Sequence, residues 1–105
     1  MERTSASITF AKNAHRLAAE YRLQWAQTHR ASPNDLANEF ENIRASFQWL
    51  TAQGQEYEEL ILSYIRAMRT FLREHGHWQE RERWLREGEA IYQRRGDIAG
   101  LIVIL

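Results

Sequence analysis

The chain has 105 residues, with 14 basic and 14 acidic side chains, no cysteine, 44% apolar and 27% charged residues. These are the proportions of an ordinary globular protein about one small domain long, and they exclude broad disorder, a disulfide framework and a thiolate metal site. A formal net charge of zero gives no global field to draw a polyanion or an anionic membrane, so nucleic acid is not a favoured partner.

Arginine supplies nearly all the positive charge, Lys12 being the only lysine. Guanidinium groups suit bidentate and stacked contacts better than ammonium groups do. The opening MERTSASITF has no basic segment followed by a long apolar core. No window reaches the roughly 18 consecutive apolar residues of a membrane span. A cytoplasmic chain with no export signal and no membrane association is expected.

From Phe10 onward, Phe10, Ala14, Leu17, Ala18, Tyr21 and Trp25 share one helical face. They predict an amphipathic helix that turns this stripe inward and ends near His29 or Arg30. Lys12, Arg16, Glu20 and Arg22 fall on the other side, and the polar residues before Phe10 are expected to fray.

The only proline marks the next start. In Ala31-Ser32-Pro33-Asn34-Asp35, Ser32 is placed to cap, Pro33 to take the first helical position and Asp35 to complete a capping box. Leu36, Phe40, Ile43, Phe47 and Leu50 follow at alternating spacing, with Trp49 on the flank and Gly54 as a left-handed stop.

A third helix is predicted from about Gln55 to His75, with Tyr57, Leu60, Ile61, Tyr64, Ile65, Met68, Phe71 and Leu72 inward. A stripe that broad belongs to a middle helix with neighbours on two sides. After a tight turn at Gly76, a fourth helix runs from Trp78 to Arg95 with Trp78, Trp84, Leu85, Gly88, Ile91 and Tyr92 inward, and Gly96 stops it. Asp97 is placed to cap a further helix over 98–105. Leu101, Ile102, Val103, Ile104 and Leu105 form an unbroken apolar run that does not suit a capped, solvent-facing helix and is an aggregation hazard if extended. Those five residues are expected to form a stacking or oligomer interface. Either another chain covers them or the protein continues beyond them, and we favour the second.

Little in the sequence points to chemistry. His75 and His77 flank Gly76 with Glu74 and Glu80 nearby, but no third ligand is marked, so no metal site is expected. Glu56, Glu58, Glu59, Glu80, Glu82, Glu87 and Glu89 interleave with arginines, as in QERERWLREGE, and Glu82 to Arg86 is an i to i+4 pair. A salt-laced helix surface accounts for them better than an acid–base pair does. The serines lie in no nucleophile elbow and there is no glycine-rich phosphate loop, so neither an enzyme nor a cofactor is expected. Trp25, Trp78 and Trp84 read as core residues, which leaves Trp49 alone as a candidate for exposure and base stacking.

GHWQERERWLREGEAIYQRRGD resembles the second half of a tetratricopeptide repeat, with Gly76, Trp78, Leu85 and Gly88 at the matching places. Two positions depart from the pattern, Arg69 and Arg81 standing where small residues are expected. LANEFENIRASFQWLTAQG is similar to the helix that opens the helical-repeat region of bacterial signal-transduction ATPases and related transcription regulators, carried by Glu39, Asn42, Ile43, Arg44, Ala45 and Trp49. The ending RRGDIAGLIVIL is similar to a junction between such repeats.

The resemblance implies an all-α fold of stacked antiparallel helical hairpins, part of a right-handed α-solenoid. Within one domain, 1–105, it places hairpins at about 8–54 and 55–96 and a further helix at 98–105. It also implies a non-catalytic protein–protein interaction scaffold within a larger cytoplasmic signalling protein, whose ATPase or DNA-binding parts lie outside this chain. Its concave surface would be lined by Ser63, Arg66, Thr70 and Arg73, suited to clamping an acidic peptide or a terminal carboxylate. The alternative is a small autonomous helical subunit that self-assembles, or joins a nucleoprotein complex, through its apolar tail.

Overall fold

A computed structural model describes the backbone of residues 2–75 and 77–104, and the side chains of residues 8–75 and 77–102. Over that length the chain is all helical, with α1 (Glu2–Thr28), α2 (Pro33–Ala52), α3 (Glu58–Glu74), α4 (Trp78–Arg95) and α5 (Ile98–Ile104). The expected turn at Gly76 lies outside the described residues.

Local chemistry sets most of the helix ends. Pro33 opens α2, where its missing N–H is one that would have no intrahelical partner anyway. Ser32 makes no side-chain cap bond, contrary to expectation; its backbone alone is used, the N–H donating to the His29 carbonyl at 2.9 Å and the carbonyl accepting from the Leu36 N–H at 3.1 Å. After Gly54, which takes a φ of 74°, a turn occupies the residues expected to begin α3, so that helix starts at Glu58. At the end of α4, Gly96 adopts a φ of 66° while Asp97 N donates to Tyr92 O and Gly96 N to Gln93 O, a Schellman motif. Asp97 then caps α5 as predicted, its Oδ1 accepting from Gly100 N at 2.8 Å. The residues before Phe10 are helical rather than frayed. They include neither glycine nor proline, so nothing local interrupts α1.

α1 and α2 form one antiparallel hairpin, in which His15 stacks on Trp49 and Arg22 reaches Ser46. α3 and α4 form a second, tied near its ends by Arg94 to Glu58 and Arg95 to Glu59. The hairpins lie side by side with like helices parallel. Lys12 meets Glu56 and Ala19 meets Tyr64 along α1 and α3, while Phe40 meets His77 and Phe47 meets Trp84 along α2 and α4. α3 packs against α1, α2 and α4, as its broad stripe predicts, and α5 packs on α4.

The orientation of α1 differs from the sequence expectation. Ala19, Leu23 and Ala26 face the core, whereas Phe10, Leu17 and Tyr21 are 77%, 56% and 69% exposed. Close approach decides this: the Tyr64 hydroxyl donates to the Ala19 carbonyl at 2.5 Å, and only a small residue lets α3 come that near the α1 backbone. Trp78 is also outside, at the first turn of α4, although it was expected inward. Trp49, the one candidate for exposure, is half-buried between His15 and Tyr57. The apolar run does lie in a capped helix as far as Ile104, seated on α4 through Leu101, with Ile98 and Ile102 exposed. Among the described residues no helix is long and apolar enough to cross a membrane.

Candidate interaction face on α3

The four residues expected to line a binding ridge lie along one side of α3, but they are not equally available. Ser63 is half-buried, and its hydroxyl donates back to the Glu59 carbonyl at 2.9 Å. Arg66 is exposed and reaches towards α4, where Nη2 donates to the Tyr92 hydroxyl at 3.0 Å. Thr70 is exposed, and Arg73 is exposed, its one carboxylate partner among the described residues being its neighbour Glu74 at 3.6 Å.

The fold adds a residue that the sequence did not mark. Arg30, just past the end of α1, lines a shallow depression of about 220 Å³ together with Thr70, Phe71, Glu74 and His75. Nothing local places Arg30 beside Thr70; only the packing of the first hairpin's turn against the end of α3 does so. Arg69 lies on the side of α3 nearer α4. Arg81 stands where the repeat pattern has alanine, and its Nε is buried without a hydrogen-bond partner among the described residues.

Ion pairing elsewhere sharpens the contrast. Glu56 is taken by Lys12 at 2.5 Å, Glu58 by Arg94 at 2.7 Å and Arg95 at 3.6 Å, and Glu59 by Arg95 at 2.5 Å. Lys12 is held above the ordinary lysine value, chiefly by its hydrogen bond to Glu56. Glu80 receives Arg44, Arg83 and the Trp84 indole, and Glu82 pairs with Arg86 at 2.9 Å in the expected i to i+4 manner. By contrast Arg22, Arg30, Arg66, Arg69 and Arg81 have no carboxylate within ion-pair distance among the described residues, Arg22 donating to Ser46 instead. A chain with no net charge thus leaves its uncompensated guanidinium groups mainly around α3.

The histidines serve packing. His75 and His77 lie at 5.2 Å and 5.3 Å from Phe71, and His77 also lies against Phe40. Among the described residues no group of three or more histidine, cysteine, aspartate or glutamate side chains is arranged to hold a metal. Of the residues expected at a terminal interface, Leu101 packs inward and Ile102 is exposed, while the side chains of Val103, Ile104 and Leu105 lie outside the described residues.

Compared with known proteins, the chain matches no family model, no curated protein and no solved structure.

Proposed function

We propose that the chain is a non-catalytic protein–protein interaction module, a tetratricopeptide-like scaffold within a larger cytoplasmic signalling protein, and that it holds an acidic peptide or terminal carboxylate against α3. The observation that carries this reading is the set of guanidinium groups at Arg30, Arg66 and Arg69 that have no carboxylate partner among the described residues, with Arg73 beside them paired only at 3.6 Å to its neighbour Glu74. Guanidinium forks bind carboxylates bidentately, and such charge-assisted bonds are about twice as strong as neutral ones. The Thr70 hydroxyl adds a donor at the centre of the ridge. The parallel placement of α1 with α3 and of α2 with α4 agrees with the stacking of repeated hairpins.

A fluorescently labelled peptide rich in aspartate and glutamate, titrated with the protein and followed by anisotropy, tests this. Binding should weaken as salt rises and fall roughly ten-fold or more in Arg66→Ala with Arg73→Ala, since truncating a charged partner costs about 2 kcal/mol or more. Equal binding of a lysine-substituted peptide, or no response to the arginine changes, would refute the reading.

A further inference from the structure

α1 carries two apolar faces. Ala19, Leu23 and Ala26 enter the core, and Phe10, Ala14, Leu17 and Tyr21 run along the opposite side, uncovered and spaced by fours and threes. That spacing is the seam of a helix pair. We infer that α1 is a self-association surface, and that a second copy of this chain covers the stripe with its own α1 running antiparallel.

The stripe is complementary to itself in that direction, as a two-fold interface requires. Centring the pair on Leu17 sets Leu17 beside Leu17 and lays each Tyr21 over the Ala14 of the second copy, large against small. Phe10 of one copy then falls opposite Gln24 and Trp25 of the other. An open depression of about 310 Å³ lies there, lined by Tyr21, Gln24, Trp25, Thr28 and His29. An aromatic side chain seated in a pocket is the usual anchor of such a contact.

Charge is compatible with this direction. No charged residue lies within the stripe, and Glu20 on its flank meets the neutral Asn13 of the second copy in the antiparallel register.

Two exposed aromatics and a leucine per copy supply on the order of 1,000 Å² buried in the pair, at the lower bound for a specific interface. Association with a dissociation constant of roughly micromolar to tens of micromolar is expected.

Sedimentation of the 105-residue chain over a concentration series reads this directly. The expected result is a monomer–dimer equilibrium that Leu17→Glu weakens about ten-fold or more, with helicity unchanged because Leu17 lies outside the core. Cysteine cross-linking reads the direction, since the chain has no cysteine of its own. Leu17→Cys should form a disulfide-linked dimer under air, while Phe10→Cys should not, the two positions 10 lying about 20 Å apart in the antiparallel pair. A monomer at all concentrations overturns the inference. So does equal cross-linking at both positions, or an association that Ile98→Glu with Ile102→Glu abolishes and Leu17→Glu leaves intact.

Discussion

Phe47 and Trp84 stack face to face, their rings 3.9 Å apart and within 5° of parallel. This contact joins α2 to α4 and with them the two hairpins. Trp84 is 1% exposed and Phe47 3%. Truncation of either to alanine should cost about 3–5 kcal/mol, much of the stability of a domain this size. Because the rings touch, the double truncation should cost less than the sum of the two. Urea unfolding followed by circular dichroism measures all three.

Burial pushes the Tyr64 hydroxyl up to about 12 from an ordinary value of 10.0, against weaker pulls in the other direction from Ser46 and Arg22. A folded-state value above the unfolded one means that this contribution is intact below pH 10.0 and is lost as pH rises through about 12. Stability should therefore fall in that window as the unfolded chain ionises first. Tyr64→Phe should remove this limb while costing about 1 kcal/mol at neutral pH through the lost bond to the Ala19 carbonyl. A spectrophotometric tyrosine titration beside denaturation at several pH values tests both parts.

A methyl group on Gly100 would lie 2.4 Å from two atoms of the Tyr92 ring and 2.9 Å from Asp97 Oδ2. Tyr92 is buried and cannot yield freely, so Gly100→Ala should unseat α5. Hydrogen exchange in Ile98–Ile104 should quicken while the amides of α1 to α3 stay protected. Gly96→Ala acts differently. There is open space around that Cβ, so the cost should be about 1 kcal/mol, from the left-handed backbone alone.

Ser32→Ala should cost no more than about 0.5 kcal/mol, below the usual loss of about 1 kcal/mol for a helix cap, because its side chain makes no cap bond. Thermal melts of this variant beside the parent measure the difference. A loss above about 1 kcal/mol would mean that the hydroxyl caps α2 in solution.

The sequence was most informative where a single residue's backbone chemistry decides the outcome. Pro33 starts a helix, Gly54 and Gly96 turn left-handed and Asp97 caps, each through its own geometry. It misled at α1, where two apolar stripes lie on opposite sides of one helix. The larger side chains drew the inward assignment, yet the alanines are what allow close contact with α3. Trp78 was misplaced for a related reason: helical spacing shows which residues share a face but not where the neighbouring helix ends. For the interaction face, the spacing put Ser63, Arg66, Thr70 and Arg73 on one side of α3. The bond from Arg66 to Tyr92 and the position of Arg30 depend on tertiary packing and leave no local trace.

The main contacts in this fold join helices that are neighbours in the chain or one apart, and among the described residues the most widely separated side-chain hydrogen bond, Tyr64 to Ala19, spans 45 residues. Each element can therefore form against what is already beside it, closing short loops at modest entropic cost. Folding should be fast, and strength should be distributed unevenly. α3, held on three sides, opens last, and α5, packed chiefly on α4, opens first.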